Sequence, residues 1–445
     1  MKLNNNDLQS FEKLPQGWSV KTLGEILPLT YGKALKKETR DNSGVVPVYG
    51  SSGQIGLHSD ALTRKSALID GRKGSVGEVY RSPIPCWPID TVYFAEERDD
   101  SDLKYFEYLL KGLKLSKLDK STAVPGLSRD DYNAVEIAIS PLDQQKRIVA
   151  EIEKQFSRLD EAATNLKCVK ANLKRYKAAV LKAAVEGRLV ETEADLARRE
   201  GRGYETGEQL LQRILETRRG QWQGKGIYKE PATPDTADLP ELPDGWTWAS
   251  LGQLTSKITS GSRDWSQYYA RGTGIFVLAR NVRPFNPDFS VEQFVDPPSS
   301  DSSCDRSRIQ DGDLLATIVG ANAGQICLVA KAPRDAYVCQ SVALIRPVLL
   351  GTGAHLNYWL NSAENGQRYL EQCMYGQGRP HLSFEQLMAA PIALPPLTEQ
   401  QRIVAEVDRR LSLLHETATQ VGVNLQRAER LRQSILSSAF AGLPS

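Results

Sequence analysis

Two stretches of the chain carry apolar residues at alternating spacings of three and four, which is the pattern of a helix with one buried seam. The first seam covers residues 148–184 and the second covers residues 403–439. A single helix from Leu142 to Gly187 would extend roughly 65 Å, far longer than an average globular helix. The pattern predicts two matched coiled-coil helices that serve as struts or spacers.

Outside these helices, short apolar runs alternate with Gly, Pro and Ser, a pattern typical of strands joined by loops. The clearest runs are residues 45–49, 66–69, 135–139 and 314–318, and a shorter helix is predicted over residues 103–118. Residues 191–241 begin with charged helix formers over 205–219 and then become rich in Gly and Pro. We therefore predict a helix followed by a flexible linker.

The chain is an internal repeat. The segment LPQGW at residues 14–18 returns as LPDGW at 242–246, and PLDQQKRIVAE at 141–151 returns as PLTEQQRIVAE at 396–406. Two weaker similarities lie between these ends. Pro125 and Leu127-Ser128 match Pro380 and Leu382-Ser383, and GSVG at 74–77 resembles ANAG at 321–324. We call the divergent segment between the matched ends of each copy its middle. Because both ends of each copy match, the two middles are predicted to share a fold.

The repeat divides the chain into five predicted parts. They are a first globular domain at residues 1–140, a long helix at 141–190, a helical segment and linker at 191–241, a second globular domain at 242–395 and a second long helix at 396–445. The fold class is therefore α+β, with two mainly-β domains separated by two long helices in a two-fold repeat.

Charge and composition fit an ordinary globular protein and do not exclude a nucleic-acid partner. Lys and Arg total 56 against 54 Asp and Glu, for a net charge of +2, and phosphate binding depends on local cations rather than the total. The six cysteines have no spacing typical of a zinc site or a disulfide framework. With neither a signal peptide nor a membrane span recognisable, we expect a cytoplasmic protein.

No catalytic motif is complete. Asn286-Pro287-Asp288-Phe289 approaches the tetrapeptide with which adenine amino-methyltransferases hold the target amino group, but its second proline is missing. The segment GRKGSVG at residues 71–77 lacks the Gly-Lys-Ser/Thr ending of a phosphate loop. It is better interpreted as a cationic turn that touches a nucleic-acid backbone or as a solvated loop.

Polar residues on the Gly-rich loops of the two middles are the best candidates for reading DNA bases, because Arg, Asn and Gln can pair with base edges through two hydrogen bonds. Contacts to phosphate, or capping of turns, remain open for any one of them. The candidates are Ser51, Ser52, Gln54, Arg72, Lys73, Ser75, Arg263, Arg280, Asn281, Asn322, Gln377 and Arg379.

One side of the first long helix carries lysines three and four residues apart. This side is either a solvated face or a cationic strip beside phosphates. The residues are Lys167, Lys170, Lys174 and Lys177.

The repeated order of globular domain, Pro-Leu-x-x-Gln-x-Arg-Ile-Val helix and linker closely resembles the specificity (S) subunit of type I restriction-modification systems, over nearly the whole chain. The resemblance implies that the two domains are target recognition domains, each reading half of a bipartite DNA sequence. It also implies that the long helices pack as an antiparallel coiled coil, which the spacing alone does not establish.

The same resemblance implies a non-catalytic subunit that binds double-stranded DNA and scaffolds two modification (methyltransferase) subunits and the restriction (translocase and nuclease) subunits. No cofactor or metal is then expected on this chain, since S-adenosylmethionine, ATP and Mg²⁺ would be bound by the partners. Two alternatives stay open: a solitary adenine DNA methyltransferase, and a coiled-coil adaptor that does not bind DNA.

Overall fold

The computed structural model describes residues 14–41, 44–113, 115–119, 125–223, 226–262, 265–296, 302–333, 335–376 and 378–440. The chain divides into two compact units. Unit 1 is Met1–Val169 with Gln420–Ser445, and unit 2 is Lys170–Thr419. No helix of the described residues combines the length and the apolar composition needed to cross a membrane.

Unit 1 contains nine strands among its described residues. They are β1 (Ser19–Thr22), β2 (Thr30–Tyr31), β3 (Val46–Gly50), β4 (Gly53–His58), β5 (Ala67–Gly71), β6 (Val79–Ser82), β7 (Trp87–Pro88), β8 (Val92–Glu96) and β9 (Glu136–Ile139). Its helices are α1 (Leu23–Ile26), α2 (Leu103–Leu113), α3 (Arg129–Asn133) and the first part of α4 (Leu142–Val185).

Unit 2 begins with the remainder of α4, followed by α5 (Glu193–Glu200) and α6 (Gly207–Gly220). Its strands are β10 (Thr247–Ser250), β11 (Thr255–Ser260), β12 (Tyr269–Val277), β13 (Phe294–Val295), β14 (Leu314–Thr317), β15 (Ile326–Leu328), β16 (Ala336–Val338), β17 (Val342–Pro347) and β18 (Pro391–Leu394). Its other helices are α7 (Leu251–Leu254), α8 (Ser302–Ser307), α9 (Gly353–Leu360), α10 (Arg368–Cys373), α11 (Phe384–Ala389) and α12 (Leu397–Ala439), of which the last part belongs to unit 1.

The described strands pair in the same topology in both units. Unit 1 has sheets of order β2-β8-β5-β6, β4-β3-β7 and β1-β9, and unit 2 has β11-β17-β14-β15, β13-β12-β16 and β10-β18. Even the parallel pair inside the three-stranded sheet recurs, as β3 with β7 and β12 with β16. The shared fold predicted for the two divergent middles is therefore confirmed.

The predicted elements lie where the sequence pattern put them, with ends displaced by one or two residues. The runs at 45–49, 66–69, 135–139 and 314–318 correspond to β3, β5, β9 and β14, and the helix at 205–219 corresponds to α6. The predicted helix over 103–118 is α2 followed by a short 3₁₀ turn at Leu115–Leu118. Such shifts are expected because the ends of an element depend on caps and tertiary contacts rather than on periodicity.

Both predicted long helices form and pack against one another. In unit 1, Ile152 of α4 shares a core cluster with Leu436 of α12 and with Phe440, the residue after its end. In unit 2, Ala184 of α4 shares a core cluster with Ile403. Early residues of α4 thus meet late residues of α12 and the reverse, so the pairing is antiparallel. The exact bounds of the five predicted parts remain a prediction.

The repeated motifs link each domain to its long helix by an equivalent hydrogen bond. The indole Nε1–H of Trp18 donates to Gln144 Oε1 at 2.8 Å, and that of Trp246 donates to Glu399 Oε1 at 2.9 Å. Glu399 is fully buried, and burial raises the pKa of its carboxyl. Trp246 is a core residue, whereas Trp18 is only half-buried.

We expect Trp246→Phe to lower the free energy of unfolding by about 2 kcal/mol and Trp18→Phe by less than about 1 kcal/mol. Both variants lose one indole hydrogen bond, but only Trp246→Phe leaves a buried carboxylate short of a donor. Calorimetry of the two full-length variants provides the comparison, with each serving as the other's control. Equal losses would contradict this assignment of the energy to the buried carboxylate.

Candidate nucleic-acid interface

In unit 1, backbone hydrogen bonds fix the cationic turn after β5 between two other loops. The amides of Arg72 and Lys73 donate to the carbonyl of Thr91 at 3.1 and 3.2 Å. The Arg72 carbonyl accepts from Leu127 N–H at 2.9 Å, and Gly74 N–H donates to the Pro125 carbonyl at 3.3 Å. These bonds hold the backbone while the side chains of Lys73 and Ser75 stay exposed.

The structure places the six candidates of the first middle around this turn. Ser51 and Ser52 form the turn between β3 and β4, and Gln54 follows in β4. Ser51 lies beside the cationic turn, because a Cβ added at Gly74 would be 3.6 Å from its Oγ. The other five are Ser52, Gln54, Arg72, Lys73 and Ser75, and all but the half-buried Arg72 are exposed.

Arg72 is oriented by residues that are distant from it in sequence. Its Nη2 donates to the Asp90 carbonyl at 2.9 Å, and its guanidinium lies 5.4 Å from the ring of Tyr31. Arg129 lies 5.3 Å from the same ring, which is half exposed. Cation–π contacts of this kind hold planar cations in fixed orientations. Tyr31 and Arg129 therefore belong to the candidate interface.

Only a weak sequence signal points to these two residues. Arg129 directly follows the repeated Leu127-Ser128, whereas Tyr31 has no counterpart in any motif. Both reach the turn through tertiary structure, since β2, which contains Tyr31, pairs with β8.

Unit 1 has exposed cations that form no ion pair among the described residues. Lys73 of this turn and Arg129 beside Tyr31 are two of them, and Lys33, Lys36 and Lys37 after β2 are three more. Cations on other faces of the unit form ion pairs, as in Lys65–Asp99, Arg81–Glu107, Arg98–Asp100, Lys104–Glu153 and Lys111–Glu107. Clustered unpaired cations favour binding of an external polyanion.

A buried carboxylic acid lies at the base of the turn. Asp70, the penultimate residue of β5, is fully buried and neither of its oxygens has a hydrogen-bond partner in the described structure. Burial raises the pKa of Asp70 to about 7. A buried carboxylate without a donor is costly, so the acid is held partly protonated near neutral pH.

Unit 2 repeats the backbone arrangement with different side chains. The amide of Ile318 donates to Ser341 at 2.9 Å, the Ile318 carbonyl accepts from Leu382 N–H at 2.9 Å, and Gly320 N–H donates to Pro380 at 3.0 Å. These bonds correspond one for one to those of Arg72 and Gly74. The two units thus present the same loop framework with unlike residues on it.

The second set of candidates lies around this framework. Asn322 is half-buried on the turn after β14, and Arg280 is exposed just after β12. Arg379 is exposed on the loop between Tyr375 and His381, whose rings stack at 5.8 Å. Arg263 and Gln377 lie outside the described residues.

Asn281 is placed differently from the other candidates. Its side chain is 2% exposed, its Nδ2 donates to the carbonyls of Asp288 and Val291, and its Oδ1 accepts from Leu278 N–H. Because these bonds occupy both of its donor hydrogens and its acceptor oxygen, Asn281 holds the loop 281–291 and offers little to a base in this conformation. That loop contains the incomplete methyltransferase-like tetrapeptide at residues 286–289.

The lysine-rich side of α4 is not uniform. Lys167, Lys170, Lys174 and Lys177 are all exposed, but among the described residues only Lys177 of these four lies over an aromatic ring, with its Nζ 4.4 Å from the centre of the Phe285 ring. Burial there lowers the pKa of Lys177. Lys177 packs against unit 2's own domain, so the cationic-strip hypothesis applies only to the other three.

A family model described as the type I restriction modification DNA specificity domain matches residues 15–172. Among curated proteins, the EcoDI specificity subunit of Escherichia coli is 21% identical over 97% of this chain and 89% of its own length. The EcoKI specificity subunit of Escherichia coli strain K12 is 23% identical over 97% of this chain and 90% of its own length. The EcoBI specificity subunit of Escherichia coli is 25% identical over 78% of this chain and 66% of its own length.

Solved structures share the fold over almost the entire chain. The HsdS subunit from Thermoanaerobacter tengcongensis is 19% identical, with a TM-score of 0.52 over 97% of this chain and 98% of that one. A second solved structure concerns complex assembly and conformational transition of the type I R-M system. One of its chains is 20% identical, with a TM-score of 0.60 over 96% of this chain and 98% of that one. The chain is thus similar to type I restriction enzyme specificity subunits along nearly its full length, with the specificity domain matched at residues 15–172.

Proposed function

We propose that this chain is the non-catalytic subunit that gives a type I restriction-modification enzyme its DNA sequence specificity, and that each unit reads one half of a bipartite target. One observation carries the proposal: the same loop framework occurs once in each unit, displaying Arg72 and Lys73 in one and Asn322 and Arg379 in the other. A loop framework that both units share, with different polar side chains in each unit, suits two domains that read different bases.

The exposed cations supply the sequence-independent part of binding. Phosphates neutralised by Lys33, Lys36, Lys37, Lys73 and Arg129 would release counterions, so affinity should fall steeply with salt. Reading two half-sites from one chain makes the second binding event intramolecular, and two modest affinities then combine into one strong one. Non-covalent base contacts need no catalytic group on this chain.

The partners follow from the same proposal. Double-stranded DNA is the ligand, two modification subunits provide methyl transfer with S-adenosylmethionine, and restriction subunits use ATP and Mg²⁺ to translocate and cut DNA. This chain would bind no cofactor of its own. Since these partners act on DNA inside the cell, we expect the complex in the cytoplasm.

Expression of the chain together with its modification subunit should produce adenine methylation at one bipartite motif, measured by sequencing methylated bases across the host genome. Omitting this chain should abolish that methylation. A DNA-binding assay of the same complex, titrated with salt, tests the cationic surface. Failure of the complex to bind any DNA would favour the coiled-coil adaptor.

The purified chain alone should transfer no methyl group to DNA and should not retain S-adenosylmethionine in equilibrium dialysis. The reason is that Asn286 lies in a turn whose backbone is tied to Asn281, through Asp288, rather than in a cofactor pocket. Asn286→Ala is the matched variant. Methyl transfer by the lone chain that disappears in Asn286→Ala would establish the solitary methyltransferase instead.

A further inference from the structure

Unit 2 exposes an aromatic side chain beside its candidate base readers. Tyr375 follows α10 and is 55% exposed. Its neighbour Met374 packs near the turn that carries Asn322, since a Cβ added at Gly324 would lie 3.6 Å from Met374 Cε. Arg379 is exposed on the same loop as Tyr375. An aromatic ring among polar readers can make the contact that they cannot make, which is burial of an apolar group.

The ring of Tyr375 is held in place from behind. The His381 ring stacks on it, with centroids 5.8 Å apart and planes inclined by 25°. The Tyr375 amide donates to the His381 carbonyl at 3.2 Å, and the His381 amide donates to the Tyr375 carbonyl at 2.9 Å. Gly376 has a φ of +96°, and a Cβ there would lie 2.8 Å from the Arg379 carbonyl oxygen and 3.4 Å from His381 Cδ2. The backbone therefore turns tightly beside the stacked rings, which fixes the orientation of the tyrosine.

The stacked pair is continuous with the loop framework of unit 2. His381 forms an antiparallel bridge with Val319. The carbonyl of Pro380, the residue before it, accepts from Gly320 N–H at 3.0 Å. His381 is thus part of the framework itself, and Tyr375 is attached to it by two backbone hydrogen bonds.

In unit 1 a glycine occupies the position of His381. Lys73 forms with Gly126 the bridge that Val319 forms with His381 in unit 2. Glycine has no side chain, so Gly126 cannot stack on an aromatic ring. The two units therefore differ in the kind of contact that their frameworks support, as expected of domains that read different half-sites.

The chemistry of the ring indicates what it recognises. Base pairs display hydrogen-bonding groups in the major groove, and thymine adds a methyl group at C5. Arg379 and Asn322 suit the hydrogen-bonding groups, whereas an aromatic ring suits the methyl group. Because His381 covers one face of the Tyr375 ring, the opposite face is the one left for DNA. A ring that is already fixed loses little conformational freedom on binding.

We infer that Tyr375 recognises a thymine in the half-site read by unit 2, by packing its ring against the 5-methyl group of that base. His381 is the positioning residue that holds the ring. This inference rests on the proposed function and deepens it, because it names one base and the residue that selects it.

The test uses the complex of this chain with its modification subunit, and DNA duplexes that carry its methylated motif. Each thymine of both half-sites is replaced in turn by deoxyuridine, which lacks only the 5-methyl group. We expect one thymine at which the wild-type complex binds the thymine duplex about fourfold more tightly than the deoxyuridine duplex, the effect of burying one methyl group. In Tyr375→Ala this ratio should fall to about one, whereas Tyr375→Phe keeps the ring and should keep the ratio. Competition binding measures the ratio.

His381 is tested through the same ratio, which a loss of stability alone would not change. His381→Ala should lower the preference for thymine, and His381→Phe, which restores a ring behind Tyr375, should recover it. Leu350→Ala removes an apolar side chain that is 69% exposed on another loop of unit 2. It is the matched control and should leave the ratio unchanged. Circular dichroism verifies that the variants are folded.

Three results would overturn the inference and leave the proposed function intact. The first is a complex that binds its motif but has no thymine at which the methyl preference depends on Tyr375. The second is equal weakening of the thymine and deoxyuridine duplexes by Tyr375→Ala, which would assign the ring to the DNA backbone. The third is loss of the ratio in Tyr375→Phe as in Tyr375→Ala, which would assign recognition to the hydroxyl. A complex that binds no DNA would instead refute the proposed function, and this inference with it.

Discussion

At pH 8 the Asp70→Asn variant should be more stable than the wild-type chain, by up to about 4 kcal/mol in the free energy of unfolding of unit 1. Burial raises the pKa of Asp70 to about 7 in the folded chain, whereas an unfolded aspartate titrates near 4. Between these values unfolding releases a proton, so the stability of the wild type falls as pH rises, and the loss is complete above the folded pKa. Asparagine is neutral at every pH, so the variant does not lose this part of the free energy of unfolding as pH rises.

Urea unfolding of both proteins from pH 4.5 to 8.5 measures the difference, which should grow by about 1.4 kcal/mol per pH unit and level off above pH 7. Asp60→Asn removes an exposed carboxylate and should show no such trend. Asp70→Ala is a second variant, because Ala316 occupies the equivalent penultimate position of β14. A stability gain that is the same at every pH would falsify the buried-acid explanation.

Replacing Arg72 and Lys73 together by alanine should change or abolish recognition of one half-site and leave the other half and the spacer intact. Arg379→Ala should do the same to the opposite half. Each bidentate base contact is worth about 1–3 kcal/mol, or roughly five- to 150-fold in discrimination. Arg72 is the stronger candidate because the Asp90 carbonyl and the ring of Tyr31 already fix its guanidinium.

Methylated-base sequencing reads both half-sites in one experiment, and competition binding with single-base changes gives the magnitude. Lys65→Ala, which removes a cation already paired with Asp99, is the control. Equal weakening on all sequences, with a smaller salt dependence, would instead assign these side chains to phosphates. Tyr31→Ala should reproduce part of the Arg72 effect, since it frees the guanidinium without removing it.

The candidate site could be predicted only in part. Ser51 and the 72–75 turn are separate in sequence, and their proximity follows from strand pairing that no local pattern encodes. Asn281 was chosen as a base reader because of its residue type, yet its donors and acceptor are already bonded within its loop. The composition of a loop indicates which groups can bind a base, but it does not indicate which groups are free.

By itself the sequence determined the two-fold repeat, the two long helices and most of the short strands, because periodicity and repeated motifs are properties of neighbouring residues. Packing between distant segments brings Tyr31 and Arg129 to Arg72, and it buries Asp70 without a hydrogen-bond partner among the described residues. These features depend on which distant segments meet, and burial, hydrogen-bond satisfaction and pKa are set by that packing rather than by residue identity.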